Sequence, residues 1–134
     1  MSWDDYVNSI MNIDNVGDVA IFGIDERRVW AAKPNSEFGG VKTEELNVLL
    51  GTDRATFLAN GVQLGNIKFS VTNDKLMEDD WMSLQTKQRD PSASLLVVRT
   101  KKTVVFVMGI QSLHGGKMLT DVEKILKSLR DSNF

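Results

Sequence analysis

Near the start of the chain, Trp3, Tyr6, Val7, Ile10 and Met11 recur at helical spacing, which places them on one face of a short amphipathic helix. Ser2 is a suitable N-cap for it, with Asp5 three positions on in a capping-box spacing. Asn15 and Gly17 break the pattern. Val19-Ala20-Ile21-Phe22-Gly23-Ile24 reads as a strand, and Val29-Trp30-Ala31-Ala32 as its neighbour across a turn at Asp25–Arg28. Pro34 and the Gly39-Gly40 pair mark a loop. Thr43 is expected to cap a second helix that carries Glu44 and Glu45 in its first turn and stops before Gly51. Asp53 is expected to cap a further short helix to about Leu58. Asn60-Gly61 signals a turn. Gly65-Asn66, between Val62-Gln63-Leu64 and Ile67–Val71, signals a two-residue hairpin.

Two apolar runs follow, Leu95–Val98 and Val104–Met108, joined through Arg99-Thr100-Lys101-Lys102-Thr103. The pattern predicts a hairpin with a charged tip. Neither run alternates, so both strands are expected to be covered on both faces. Gly115-Gly116 leads into a last helix with an apolar stripe of Met118, Val122, Ile125, Leu126 and Leu129. The predicted fold is α+β: a mainly antiparallel sheet between helical layers, terminal helices together on one face, one domain over residues 1–134.

Composition narrows the function more than the fold. The 134 residues are 42% hydrophobic and 25% charged, with a net charge of −2, so nothing in the balance demands nucleic acid or a membrane. With no cysteine and one histidine, His114, thiolate chemistry is excluded and a zinc site would have to be built from carboxylates. The Met-Ser-Trp-Asp-Asp start is acidic and has no apolar signal-peptide core, and no apolar run is long enough to span a bilayer. A monomeric protein of the cytosol is expected.

The candidates for chemistry are weak. Gly115-Gly116-Lys117 has Gln111 and Met118 where a phosphate-binding loop needs Gly and Ser or Thr. Ser112 is close to His114 in sequence, which by itself is no catalytic geometry. Glu78-Asp79-Asp80 lacks the alternating ligands of a calcium loop and reads as a solvated loop. Lys101, Lys102, Lys117, Lys124, Lys127 and Arg130 are dispersed among acids, and Glu123 with Lys127 is spaced for an i,i+4 pair. No catalytic residue, cofactor or metal is predicted.

The aromatic residues carry more. Trp3 and Tyr6 lie one turn apart, Trp30 is on an early strand and Phe134 is the last residue given. As core residues they need no further explanation. As a surface cluster, their rings with Trp N–H and Tyr O–H donors would suit a proline-rich peptide, an extended left-handed helix with exposed carbonyls.

The sequence resembles the profilin family, in its vertebrate-like branch, over nearly its whole length. The resemblance rests on Ser2-Trp3 with Tyr6, Asp18-Val19-Ala20-Ile21, Val29-Trp30-Ala31-Ala32 and Leu50-Gly51-Thr52-Asp53-Arg54. It continues through Asn60-Gly61, Leu64-Gly65, Lys68, Ser70-Val71, Thr86-Lys87, Val107-Met108-Gly109 and Leu113-His114-Gly115-Gly116. It implies the profilin fold and a cytoskeleton-associated protein that binds monomeric actin, proline-rich proteins such as formins, and anionic phosphoinositides. It further implies regulation of filament assembly, by sequestering or delivering actin and promoting its nucleotide exchange.

Carried onto this sequence, the resemblance implies a proline site of Trp3, Tyr6, Trp30, Ser128, Leu129 and Phe134. Ser128 replaces a histidine and Phe134 a tyrosine usual in vertebrate relatives, which implies a weakened site. The implied actin face is Ala59, Lys68, Ser70, Val71, Thr72, Asn73, Lys87, Leu113, His114, Gly116 and Lys124. Asn73 and Gln85 replace arginine, Thr120 replaces lysine and Lys124 replaces glutamate. Weakened actin binding is expected. The alternatives are a divergent profilin acting mainly as a proline-motif or phosphoinositide adaptor, and a small-molecule enzyme or sensor with a similar sheet.

Overall fold

The computed structural model describes residues 2–110 and 115–134. Its centre is a seven-stranded antiparallel sheet built from β1 (Val16–Gly23), β2 (Arg28–Ala32), β3 (Val62–Leu64), β4 (Ile67–Lys75), β5 (Trp81–Thr86), β6 (Ser94–Arg99) and β7 (Thr103–Gly109), in the order β2-β1-β7-β6-β5-β4-β3. The helices are α1 (Trp3–Met11), α2 (Thr43–Leu49), α3 (Arg54–Asn60), α4 (Leu76–Asp79) and α5 (Gly115–Asp131), with a 3-10 turn at Glu37–Gly40.

Side-chain alternation sorts the strands between two cores. Ala20 and Phe22 of β1, Leu95 and Val97 of β6, and Val104, Phe106 and Met108 of β7 face one layer. There Leu46 and Leu49 of α2, Phe57 of α3, Leu76 of α4 and Phe38 of the 3-10 turn cover them. Phe106 packs between Phe22, with centroids 4.8 Å apart, and Phe38, edge-on at 5.2 Å. The intervening residues Val19, Ile21, Leu96, Val98, Val105 and Val107 face the second core, under Tyr6, Val7 and Ile10 of α1 and Met118, Val122, Leu126 and Leu129 of α5. Every residue of β7 is buried, as two covered faces require.

The second core draws on β1, β2, β6 and β7 but hardly on the other edge. Ile67 and Phe69 of β4 and Met82 and Leu84 of β5 belong to the first core. Lys68 and Ser70, which alternate with them, are exposed, and Ser83 and Gln85 are half-buried. The terminal helices therefore leave the β3–β5 part of their own side of the sheet bare.

Several local expectations shift. Lys42, not Thr43, is the N-cap of α2; Glu45 Oε1 accepts the Lys42 N–H at 2.9 Å, and the Thr43 hydroxyl donates to the Arg27 carbonyl. Gly39-Gly40 closes a 3-10 turn instead of an irregular loop. Asn60 ends α3, and Gly61, at φ 79°, caps it with its N–H on the Phe57 carbonyl. Glu78 and Asp79 are helical, and Asp80 is tied to Arg99 at 3.0 Å, so the acidic run is no solvated loop. Glu123 pairs with Arg130 and Lys127 with Asp131, because both pairings lie along the same helix face as the expected one. β5 and α4 went unpredicted.

One ion pair ties three elements together. The Arg54 guanidinium, at the start of α3, meets the Asp74 carboxylate of β4 with two bonds of 2.8 and 2.9 Å, and donates to the Leu49 carbonyl at the end of α2. The hydrogen bonds from Arg54 hold the Asp74 carboxyl below the usual carboxylate range, against the opposing effect of burial. A lowered folded-state pKa means the unfolded chain takes up the proton first, so this stabilisation is complete above about pH 4 and is lost as the pH falls through the Asp74 value. Arg54→Met is expected to lower stability by about 2–4 kcal/mol at pH 7. In urea melts, the gap from wild type should narrow as the pH approaches 3; a gap independent of pH would remove Asp74 from this role.

Candidate functional site

The capping box that opens α1 is present: the Ser2 N–H donates to Asp5 Oδ2 at 2.9 Å and the Asp5 N–H to Ser2 Oγ at 3.2 Å. Hydrogen bonding from the Ser2 N–H, and then from its hydroxyl, to the Asp5 carboxylate holds the Asp5 pKa below the usual carboxylate range. The cap fixes the first turn, so Trp3 and Tyr6 project from a defined start. Trp3 then meets three rings: Tyr6 at 6.0 Å, Trp30 at 4.9 Å and Phe134 edge-on at 5.5 Å. Trp3, Trp30 and Phe134 are half-buried, each with one side against protein, while Tyr6 and Leu129 are buried beneath them.

Two contacts set this cluster. The Tyr6 hydroxyl lies 2.7 Å from Ser128 Oγ, bridging α1 and α5. The sequence reading assigned the Tyr6 donor to a ligand; here it already has a partner. Ser128 is exposed, and two linked hydroxyls hold two protons for one shared bond. One donor remains for an acceptor above the pair. Phe134 is held by its main chain: its N–H reaches the Leu129 carbonyl, and its oxygen accepts from the Thr100 hydroxyl and the Lys102 N–H, both at 2.5 Å. The Lys102 ammonium stands 4.9 Å from the centre of the Phe134 ring, within cation–π range.

Gly23 is the residue that sequence reasoning missed. A Cβ there would lie 2.4 Å from Trp30 Nε1 and 2.2 Å from Glu26 Oε2. The indole can rest on β1 only because position 23 has no side chain. The available signal was a glycine inside a strand, two residues from the turn leading to Trp30.

Part of the second residue set lies on the bare part of the sheet and part on the elements around it. Lys68, Ser70 and Thr72 are exposed along β4, and Thr72 bonds Ser83 of β5 at 2.8 Å beside the bulge that shifts the register between Val71 and Asn73. Val71 is half-buried against the first core and Asn73 is exposed. Lys87 follows β5. Its N–H bonds the Lys68 carbonyl, and its ammonium donates at 3.0 Å to Asn60 O at the end of α3, beside the exposed Ala59. Lys124 is exposed on α5, on the same side of the sheet as Lys68 and Ser70. Gly116 lies in the first turn of α5. Leu113 and His114 lie outside the described residues, as do Gln111 and Ser112. Among the described residues no cluster of His, Cys, Asp or Glu could hold a metal, and no helix is long and apolar enough to cross a membrane.

Comparison with known families matches residues 1–134 to Profilin. The chain belongs to the profilin family. Mouse Profilin-1 is 36% identical over 137 residues, an alignment covering 98% of each chain. The structure of mouse profilin IIa in complex with a double repeat from the FH1 domain of mDia1 superposes with a TM-score of 0.91 at 34% identity, covering 100% of both chains. That of rat profilin 2a gives 0.89 at 36% identity, over 98% of this chain and 96% of that one. Profilins are non-enzymatic actin-binding proteins, so the enzyme alternative falls.

The Gly23 contact has a measurable consequence. Gly23→Ala is expected to push Trp30 away from Trp3, reducing the coupled-indole signal in circular dichroism. A spectrum identical to wild type would show that the rings tolerate a side chain there.

Proposed function

We propose that this profilin binds a proline-rich segment across Trp3, Tyr6, Trp30, Ser128, Leu129 and Phe134, and an actin monomer on the bare β3–β5 side of the sheet. The observation that carries the reading is the half-buried ring cluster, with Trp3 within 6.0 Å of all three partners. Flat apolar faces with donors at their edges match the rings and carbonyls of a polyproline helix, which is ordered before it binds and so loses little entropy. The complex of mouse profilin IIa with a double repeat from the FH1 domain of mDia1 supports it.

The actin face is assigned to Ala59, Lys68, Ser70, Val71, Thr72, Asn73, Lys87, Leu113, His114, Gly116 and Lys124. Lys68, Lys87 and Lys124 supply its positive charge, and anionic phosphoinositides are a further candidate ligand of the same cations. Few other strong charges on this strip make the encounter with acidic actin slower and the complex weaker than in more basic relatives. An occupied monomer is withheld from nucleation. If the complex favours an open nucleotide cleft, exchange rises by population shift. A ligand held at the rings then raises the local concentration of loaded actin near an elongation factor. The setting is the cytoplasmic actin cytoskeleton, and none of these steps needs a catalytic group.

Titration with oligoproline is expected to change tryptophan fluorescence, and Trp3→Ala should weaken binding by more than about tenfold, or ~1.4 kcal/mol. Silent calorimetry with wild type would reject the proline site. Lys68→Glu is expected to weaken actin-monomer binding by about tenfold while leaving oligoproline affinity unchanged. Equal actin affinity for both proteins would remove actin from this face.

A further inference from the structure

Beside the rings lies a pocket of about 580 Å³ between the β1–β2 turn, the β6–β7 turn and the end of α5. Four of its lining residues are cationic, Arg27, Arg99, Lys101 and Arg130, against one acid, Asp80. The whole chain carries −2, so this corner departs from the average. The four cations are not equivalent. Arg99 donates to Asp80 Oδ1 through Nε and Nη2 and to the Leu76 carbonyl, and Arg130 is forked onto Glu123. Their charge is largely neutralised. Arg27 sits in the left-handed region at φ 56°, with its Nη1 buried and lacking an acceptor among the described residues. Lys101 is exposed at the tip of the β6–β7 turn.

The pocket and the ring cluster share a wall. Asn133 lines the pocket and the next residue, Phe134, packs on Trp3. Thr100 also lines it and holds the Phe134 oxygen. On the other side Ile24 and Arg27 line it, six and three residues before Trp30. A polyproline helix advances about 3.1 Å per residue, so a residue flanking the proline run is carried beyond the rings, toward the wall that Phe134 and Asn133 share with the pocket. Glu26, whose carboxylate stands beside Trp30 over Gly23, repels an anion held over Trp30 and does not line the pocket.

We propose that this pocket is an acidic-residue subsite of the proline groove. It takes a carboxylate or phosphate-bearing residue flanking the proline run of the same ligand, with Arg27 and Lys101 as its donors. The inference rests on the proline reading, and guanidinium recognition of such groups supplies its chemistry.

The test compares oligoproline with oligoproline carrying Asp-Asp at either end, against wild type and an Arg27→Asn, Lys101→Ala double variant. Asparagine is chosen because it accepts the left-handed backbone. One acidic peptide is expected to bind wild type about five- to tenfold tighter than plain oligoproline, with the gain lost in the double variant and in about 0.5 M salt. Plain oligoproline should bind both proteins alike. Equal affinity of wild type for all three peptides overturns the subsite alone. Absence of plain oligoproline binding removes the proline reading and the subsite with it. Binding to phosphoinositide vesicles that needs Arg27 and Lys101, without any peptide gain, gives the pocket to a lipid headgroup and overturns the proposal.

Discussion

Double burial of β1, β6 and β7 is the constraint from which the other features follow. Val105 and Val107 face one core while Val104, Phe106 and Met108 face the other, so helices must lie on both sides of the sheet. On the α1 and α5 side, two helices are too few to span seven strands, and they settle over the fully apolar ones. Covering that part brings Tyr6 and Ser128 within hydrogen-bond distance and seats Trp3 against Trp30. Leaving the rest bare requires polar residues there, and Lys68, Ser70, Thr72 and Ser83 meet that requirement. One packing decision thus creates both candidate surfaces.

Much of this was legible in sequence, for identifiable reasons. The runs Leu95–Val98 and Val104–Met108 are apolar at every position, so the two-sided covering could be inferred without any contact information. The Ser2 and Asp5 capping box is local, and it formed as expected. β5 is weakly marked in the sequence: Met82 and Leu84 alternate with Ser83 and Gln85 over only a few residues, a signal too short to stand out beside the acidic run before it. That run is ordered by Arg99 and Arg130, which arrive from distant parts of the chain.

For the site, residue types were readable and their convergence was not. Nothing in the spacing of Trp3, Trp30 and Phe134 says that a helix, a strand and the final residues meet; the sheet order supplies that. Gly23 was equally silent, because its importance lies in what would be displaced. The Tyr6 hydroxyl was credited to a ligand because its partner Ser128 is 122 residues away. The basic pocket has no local signature for a related reason: Lys101 and the three arginines are dispersed in sequence, and only two turns and the end of α5 gather them.

The strand order also acts as a ruler. Trp30 is on β2 and Lys68 on β4, five strand spacings apart, or about 24 Å at roughly 4.8 Å per spacing. A rigid hydrogen-bonded ladder holds that interval, so the two surfaces neither compete for the same space nor drift relative to each other. Two partners seated on them would be presented at a fixed offset, and the reach required of any tether joining them is set by the width of the sheet.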